Sequence, residues 1–177
     1  VYHFNEGHAT LAGGELIREK MLQGYDFDTA WDLTRQQIVF TTHTPVPAGN
    51  ESHNLDVLGH MGAFNSLNRE QMYRLGGEPF GMTVAALRMA RMANGVAQLH
   101  GETARRMWKD VSGSASIFAI TNGVHTRTWW DPQIKAAYKQ GQDLWEPHMA
   151  AKYELIKEVE AQNGVTLNPD ALLIGFA

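Results

Sequence analysis

The sequence predicts an α/β fold that is rich in helices and has parallel strands. A short β-branched run over 39–42 leads into a loop with Pro45 and Pro47, and proline at these positions cannot continue a strand or a helix. A second apolar run over 116–121 ends at a glycine turn, and the stretch over 171–177 is apolar on both faces, as in strands that helices cover on both sides. Helical patterns separate these runs, which favours alternation of helix and strand.

The other elements follow from local patterns along the chain. Strands are predicted over 1–4, 39–42, 116–121 and 171–177, and helices over 11–21, 28–38, 56–67, 69–75, 82–92, 96–109 and 145–162. Asp28 is the expected N-cap of the second helix, and Asn94-Gly95 is interpreted as a turn between two helices. Gly164 stands where a left-handed residue would close the last helix.

Composition excludes several classes of function. The chain has 177 residues, of which 44% are hydrophobic and 19% are charged, as in an ordinary globular protein. Its net charge of −4 argues against nucleic acid as a partner, because proteins that bind phosphate backbones carry a basic surface. No apolar run approaches the roughly 20 residues that cross a bilayer, so no membrane association is expected. The absence of cysteine excludes disulfides and thiolate sites, and we expect a cytoplasmic protein.

Polar side chains follow two of the predicted strands. His43 comes directly after the strand at 39–42, and Asn122 with Gly123 follows the strand at 116–121. Open α/β sheets bind ligands beyond the carboxyl ends of their strands. The two strand ends therefore predict a single ligand-binding cleft.

The character of the sequence changes near residue 123. His, Asn and Met are dense before this point, whereas charged helices and an apolar strand follow it. We therefore place a domain boundary at about 122–130. The stretch at 171–177 would need a following crossover to lie in a parallel sheet, so we expect the chain to be a piece of a longer enzyme.

Four segments, in this order, resemble the α-glucan phosphorylases, the family of the glycogen, starch and maltodextrin phosphorylases. They are FNEGHATL at 4–11, THTPVPAGNE at 42–51, ANGVAQLHGE at 93–102 and ITNGVHTRTWW at 120–130. Each segment alone is a weak signal, but four collinear segments together are specific. Glu6-Gly7 and the run TPVPAG stand where the animal enzymes have Asp-Thr and TVLPEA, so the chain is more similar to the bacterial and archaeal branch.

The resemblance implies a glycosyltransferase with two Rossmann-like domains, the GT-B type, of which this chain would be an internal fragment. Such enzymes cleave the terminal α-1,4 bond of a glucan or maltooligosaccharide with inorganic phosphate, and they release glucose 1-phosphate with retention. Pyridoxal phosphate is their cofactor. Residues 1–122 would form the C-terminal part of the N-terminal glucan-binding domain, and residues 123–177 the junction and the truncated start of the C-terminal cofactor-binding domain. Allosteric regulation and homo-oligomerisation stay open.

The resemblance also implies roles for particular residues. His43 would bind the 6-hydroxyl of the reacting glucose, and the carbonyl beside it would face the positive charge that develops on the sugar ring. Asn122 would bind the same hydroxyl from the domain junction. The substrate-binding residues would further include Asn5, Glu6, His8, Glu51 and Gly123, with Glu51 supporting the His43 loop. A neutral imidazole and an amide suit a hydroxyl because each can donate and accept hydrogen bonds.

No cofactor-binding residue is expected within the chain. In the family that it resembles, the lysine that forms the Schiff base with pyridoxal phosphate follows the strand corresponding to 171–177. The basic residues that bind the substrate phosphate also follow it, and the glycine-rich helix start that faces the cofactor phosphate precedes the first segment. None of the lysines has a matching context; they are Lys20, Lys109, Lys135, Lys139, Lys152 and Lys157. The chain alone is therefore expected to be inactive.

Two other functions remain alternatives. A nucleotide-sugar-dependent glycogen or starch synthase-like glycosyltransferase would share the two-domain architecture, and it would need Arg and Lys for a diphosphate but no Schiff-base lysine. A non-catalytic glucan-binding module has its only support in the tryptophans, Trp129-Trp130 above all. No metal site is predicted, because cysteine is absent and His53 and His60 are seven residues apart, roughly 10 Å along a helix.

Overall fold

The computed structural model describes residues 1–175. It contains two compact units, of which the first is Val1–Asn122 and the second begins at Gly123. The first unit holds an open parallel sheet with helices packed on it, and the described part of the second unit is helical. The predicted α/β class, rich in helices and with parallel strands, is confirmed.

The described residues form six strands and nine helices. The strands are β1 (Tyr2–Asn5), β2 (Ile38–Thr42), β3 (Ser52–His53), β4 (Phe80–Gly81), β5 (Met92–Gly95) and β6 (Ile117–Ala119). The helices are α1 (Leu11–Leu22), α2 (Phe27–Arg35), α3 (Leu55–His60), α4 (Arg69–Gly76), α5 (Met82–Met89), α6 (Gln98–Met107), α7 (Thr126–Trp129), α8 (Pro132–Lys139) and α9 (Trp145–Asn163). Short 3-10 helices cover Gly7–Ala9 and Pro47–Gly49.

The main sheet has the strand order β1-β2-β5-β6, and all its pairs are parallel. Because the order advances in one direction and crossovers between parallel strands are right-handed, the connecting helices are expected on one face of the sheet. The strands β3 and β4 form a separate antiparallel pair. This topology brings the carboxyl ends of all four parallel strands to one edge.

The core of the first unit lies between the sheet and its helices. The register pairs Phe4 with Phe40, Phe40 with Ala93, and Ala93 with Ile117, so the four side chains form one row across the sheet. The first three are buried, and they belong to one cluster with buried residues of α1, α2 and α5. Burial of these apolar side chains is the main source of stability for this unit.

The other face of the sheet carries polar groups. Residues one position away from the core row point to this face, because successive side chains of a strand alternate. His3 Nε2 lies 2.7 Å from Thr41 Oγ1, and the Thr41 hydroxyl donates to Asn94 Oδ1 at 2.8 Å. These contacts cross three adjacent strands, β1, β2 and β5.

Helix α6 lies very close to β5 and β6 because small residues meet there. A Cβ atom at Gly95 would lie 3.0 Å from the backbone nitrogen of Gly101, and one at Gly101 would lie 2.7 Å from Ala119 Cβ. The helix therefore starts beside the carboxyl end of β5, and it has little space on the sheet side.

The second unit is described on its own. Asp131 caps α8, since its side chain accepts the N–H groups of Gln133 at 2.9 Å and Ile134 at 3.0 Å. Gly164 has φ 67° and follows α9, so the predicted left-handed cap is confirmed. Within residues 1–175, no helix combines the length and the apolar character that crossing a bilayer would require.

Most of the predicted elements are found. The predicted strands at 1–4, 39–42 and 116–121 correspond to β1, β2 and β6, and the predicted helices at 11–21, 69–75, 96–109 and 145–162 correspond to α1, α4, α6 and α9. Their ends differ from the prediction by one or two residues, as is usual for such boundaries.

Three helix predictions are wrong in part. Met92–Gly95 forms the central strand β5, where a helix end and a turn were predicted. Helix α2 ends at Arg35, and its N-cap is Asp26, which accepts the Thr29 N–H at 2.8 Å, in place of Asp28. The helix predicted over 56–67 ends at His60, and turns follow it.

The strand predicted over 171–177 is also wrong where it is described. Residues 171–175 form no strand, and the side chains of Leu172 and Ile174 are 85% and 81% exposed. The remainder of that segment, 176–177, lies outside the described residues.

Candidate active site

The candidate site lies at the carboxyl edge of the main sheet. Asn5 ends β1, His43 follows β2, and Asn122 follows β6 by three residues. Since β5 lies between β2 and β6, two strand spacings of roughly 5 Å each separate the ends that carry His43 and Asn122. The sheet thus places both residues at one edge, where the ends of β2 and β6 are roughly 10 Å apart by this spacing and Asn122 lies three residues beyond the end of β6.

The His43 imidazole is held by the side chain of Asn5. His43 Nε2 lies 2.6 Å from Asn5 Oδ1. Because a carbonyl oxygen can only accept, Nε2 must carry the proton in this contact. In the neutral ring Nδ1 is then the acceptor, and the exposed imidazole can present it to a ligand.

The backbone at His43 is held by the carboxylate of Glu6. Glu6 Oε1 accepts the N–H of His43, the N–H of Thr44 at 3.1 Å and the hydroxyl of Thr42 at 3.2 Å. Glu6 Oε2 accepts the N–H of Gly7 at 3.1 Å. Asn5, the last residue of β1, therefore holds the side chain of His43, and the next residue, Glu6, holds its backbone.

These contacts determine the charge state and the conformation of Glu6. Partial burial raises the pKa of its carboxyl group, but the N–H groups of His43, Gly7 and Thr44 and the Thr42 hydroxyl outweigh this, so the pKa is lowered. Glu6 has φ 76° and ψ 170°, a backbone region that glycine occupies almost alone. The residue is charged and strained at the same time.

The loop after His43 is attached to α5 at its other end. The Thr83 hydroxyl donates to Asn50 Oδ1 at 2.9 Å, and the Met82 N–H donates to the backbone oxygen of Glu51 at 3.0 Å. Asn50 Nδ2 donates back to the Val46 oxygen at 2.9 Å. The loop is thus fixed at both ends, by Glu6 at its start and by α5 at its end.

Three of the predicted substrate-binding residues line one hollow beside this loop. Its volume is about 200 Å³, and its walls are Glu6, Gly7, His8, Thr44, Gly49, Asn50, Glu51 and Thr83. His43 and Asn122 are not among these wall residues. The Glu51 carboxylate is exposed and lies 4.0 Å from His53 Nε2, so the side-chain contacts to His43 come from Glu6 and Asn5.

Asn122 is positioned through its backbone. The Asn122 N–H donates to the Val96 oxygen at 3.0 Å, and the Val96 N–H donates to His100 Nδ1 at 3.1 Å. The Ile120 N–H donates to the Gly95 oxygen at 2.9 Å. The Asn122 side chain is exposed, while Gly123 already belongs to the second unit.

Sequence patterns did not indicate several residues that build the site. Thr42, Thr44 and Thr83 contribute hydroxyls to the loop contacts, and His100 supports the Val96 peptide. The first two lie inside the segment at 42–51, where threonines on both sides of His43 are the only signal. The contact of Thr83 with Asn50 joins residues that are 33 apart in the sequence and leaves no local pattern, whereas His100 and Val96 are four residues apart within the segment at 93–102.

Within the described part of the chain, no three His, Asp or Glu side chains come together as a metal-ligand set. The lysines of the first unit, Lys20 and Lys109, lie near the C-terminal end of α1 and just beyond the C-terminal end of α6. Because α6 begins at the carboxyl edge of the sheet, Lys109 lies toward the opposite edge. The imidazole of His43 and the amide of Asn122 can each donate and accept hydrogen bonds, as a hydroxyl ligand requires.

No protein-family model matches the chain. An uncharacterised protein of Methanocaldococcus jannaschii is 38% identical over 179 residues, which cover 100% of this chain and 33% of that protein. A maltodextrin phosphorylase of Thermococcus litoralis is 31% identical over 221 residues, with 100% of this chain and 27% of the relative covered. A glycogen phosphorylase of Mycobacterium tuberculosis is 39% identical over 153 residues, with 75% of this chain and 18% of the relative covered. The chain thus spans about a third or less of the length of these curated relatives.

Proposed function

This chain belongs to the α-glucan phosphorylase family, and on that premise we propose that it builds one side of the site at which a glycogen or maltodextrin phosphorylase splits a terminal α-1,4 bond. Inorganic phosphate would receive the glucosyl group as glucose 1-phosphate with retention, and the shortened glucan would take up a proton. Residues 1–122 would belong to the glucan-binding domain, and residues 123–177 to the start of the cofactor-binding domain. The branch would be the bacterial and archaeal one.

The observation that supports this proposal best is the fixed imidazole of His43. With Nε2 donating to Asn5 Oδ1, Nδ1 is left as an acceptor for the 6-hydroxyl of the reacting glucose. A side chain that is already oriented loses less conformational freedom when the sugar binds. Asn5 would thus act on the substrate through His43.

The proposal gives Asn122 the second contact to the same hydroxyl. Its amide would donate or accept from the β6 side of the edge, and its backbone position is fixed through Val96 and His100. Two contacts from different strands would hold the sugar in a defined orientation, which is a large part of catalysis by positioning. His8 and Glu51 would act from the hollow beside the loop.

The backbone of the His43 loop would contribute electrostatically. Glu6 accepts the N–H groups of His43 and Thr44, and the carbonyl oxygens of the same two peptides would then be directed to the ligand side. Partial negative charge fixed near the sugar ring would stabilise an oxocarbenium-like transition state without any change of protonation.

Pyridoxal phosphate would supply the acid and base chemistry at the substrate phosphate. The lysines of the first unit do not fit a covalent link at the carboxyl edge, since Lys109 lies toward the opposite edge and Lys20 near the end of α1. The proposal therefore assigns no cofactor residue to this chain. It also implies that the chain by itself does not turn over glucan.

The test uses the complete protein with maltoheptaose and inorganic phosphate. We expect α-glucose 1-phosphate, which phosphorus and proton NMR identify. His43→Ala and Asn122→Ala should each lower kcat/KM by roughly 5- to 150-fold, because a polar partner left unpaired in the complex costs about 1–3 kcal/mol. His60→Ala, on the exposed side of α3, is the matched control and should keep wild-type turnover.

The other outcomes separate the alternatives. Glucosyl transfer from a nucleotide sugar without phosphorolysis would contradict the proposal and favour a synthase-like enzyme. Glucan binding without turnover would favour a binding module. Wild-type activity of both variants would reject the roles of His43 and Asn122.

A further inference from the structure

We infer that Glu6 is a positioning residue, whose carboxylate fixes the backbone at which β2 becomes the His43 loop. The resemblance places this residue in the wall beside the sugar. In the structure, both carboxylate oxygens of Glu6 instead accept hydrogen bonds from backbone N–H groups, those of His43, Thr44 and Gly7. The inference rests on the proposed function, because it concerns how His43 is presented to the reacting glucose.

The first argument is the number and the location of the donors. Glu6 accepts the N–H groups of two consecutive residues, His43 and Thr44, together with the hydroxyls of Thr42 and Thr44. One oxygen thus contacts three successive residues at the point where the strand ends. Backbone groups at such a point have no partner in the sheet and need another one.

The second argument is the composition of the loop. Pro45 and Pro47 have no N–H, so they cannot anchor the loop through backbone donation. The backbone bonds of the loop tip are internal, from Gly49 N–H to the Val46 oxygen at 3.2 Å and from Asn50 N–H to the Pro47 oxygen at 3.0 Å. The start of the loop is therefore held to the sheet mainly by Glu6.

The third argument is the backbone of Glu6 itself. Its φ of 76° with ψ 170° is disfavoured for any residue with a Cβ atom, and such a conformation persists only where the surroundings impose it. A glycine would adopt it without strain but would bring no carboxylate. Strain of this kind occurs mostly at functional sites, which agrees with a role in presenting His43.

The chemistry also explains why a carboxylate suits this position. Glu6 Oε1 accepts from His43, Thr44 and Thr42, and Oε2 accepts from Gly7, so both oxygens face donors. A glutamine would turn its NH₂ group toward one set of N–H groups and lose those bonds. Glu6→Gln should therefore be an intermediate variant, and Glu6→Ala a complete loss of the contact.

The experiment compares Glu6→Gln, Glu6→Ala, Glu6→Gly and Glu6→Asp in the complete protein. Glu19→Gln on the exposed face of α1 is the control, since it removes the same charge. Hydrogen exchange of the His43 and Thr44 amides, measured without sugar, reports the position of the loop. The amide of Phe40 in β2, the strand that precedes the loop, reports whether the sheet is intact.

We expect Glu6→Ala to speed exchange of the His43 and Thr44 amides by roughly 10-fold or more, because their hydrogen bonds to a charged group are lost. The variant should lower kcat/KM by a similar factor, and the change should lie mainly in kcat. Glu6→Gln should show a smaller effect, and Glu6→Asp should restore part of both signals. Glu6→Gly should melt at a higher temperature than Glu6→Ala, because glycine relieves the strain, yet be equally impaired. A purely structural role would instead change activity and melting temperature together.

Two results would overturn the inference. One is unchanged exchange of the His43 and Thr44 amides in Glu6→Ala. The other is faster exchange combined with wild-type kcat/KM. If the wild-type protein shows no phosphorolysis, the proposed function fails, and the exchange data alone then decide whether Glu6 fixes the loop.

Discussion

Gly95→Ala is the substitution for which the structure gives the clearest stability prediction. A Cβ atom at this position would lie 3.0 Å from Gly101 N, 3.1 Å from Gly101 Cα and 3.1 Å from His100 Nδ1. Two of these atoms are backbone atoms of α6. The helix cannot move freely, because Gly101 itself lies close to Ala119 on β6.

Two opposing effects determine how much Gly95→Ala changes the free energy of unfolding. Overpacking of this kind costs about 1–3 kcal/mol. Alanine also reduces the conformational freedom of the unfolded chain, which offsets about 0.4–1 kcal/mol of the overpacking cost. We expect a net loss of about 1–2 kcal/mol in the free energy of unfolding, together with a displaced Val96 peptide, because the contact of Val96 N–H with His100 Nδ1 depends on the same approach.

Urea unfolding of the purified protein measures this loss. With a slope of about 2 kcal/mol per molar, the midpoint should fall by roughly 0.5–1 M. Gly14→Ala is the matched control, since its Cβ would lie 3.7 Å from Leu67 Cδ1, an ordinary contact, and helix propensity predicts a gain of up to about 1 kcal/mol. A Gly95→Ala protein as stable as the wild type would refute the packing argument.

Two further predictions concern charges on the surface. The Arg18 guanidinium, with a smaller contribution from the Asn65 amide, lowers the pKa of Glu15 to about 2, so Arg18→Ala should raise that pKa toward its ordinary value, which carbon-13 NMR of the carboxyl group would detect. Because the folded-state pKa is lowered, this stabilisation is present above pH 4.5 and is lost as the pH falls toward about 2, and Glu15→Gln should remove this dependence. Asp26→Ala should lower the melting temperature more than Asp28→Ala, because Asp26 caps α2 while the ion pair of Asp28 is exposed; equal melting temperatures would speak against the cap.

The fold class could be predicted from sequence, but its central strand could not. Met92–Gly95 contains no β-branched residue, and Met and Ala continue the helical pattern of α5. Ala93 is small where the core row crosses β5, and Gly95 is small where α6 approaches the strand. Tertiary packing therefore determined this element against its local propensity.

The stretch at 171–175 shows the opposite case. Its composition favours a buried strand, but a strand depends on partner strands for its backbone hydrogen bonds. The described residues provide no such ladder here, and Leu172 and Ile174 remain exposed. An apolar run alone does not supply the pairing.

The candidate site was predictable in part. Motif and strand position singled out His43, Asn122 and Asn5, and the structure brings His43 and Asn5 into contact and sets Asn122 at the same edge. The contacts of Glu6 could not be predicted, because they depend on a positive φ and on donors 37 and 38 residues away. The binding roles themselves remain predictions.

The alternation along β2 ties the interior of the sheet to its outer edge. Phe40 faces the core, and Thr41 lies on the opposite face of the sheet, where it forms hydrogen bonds with His3 and Asn94. A shift of β2 by a single residue would turn the Thr41 hydroxyl toward the apolar core and the Phe40 ring toward the polar face, and it would also bring a different side chain to the position of His43. Substitutions in the hydrophobic core can therefore displace the His43 imidazole without contacting it, so residues that affect the candidate site need not lie at the edge of the sheet.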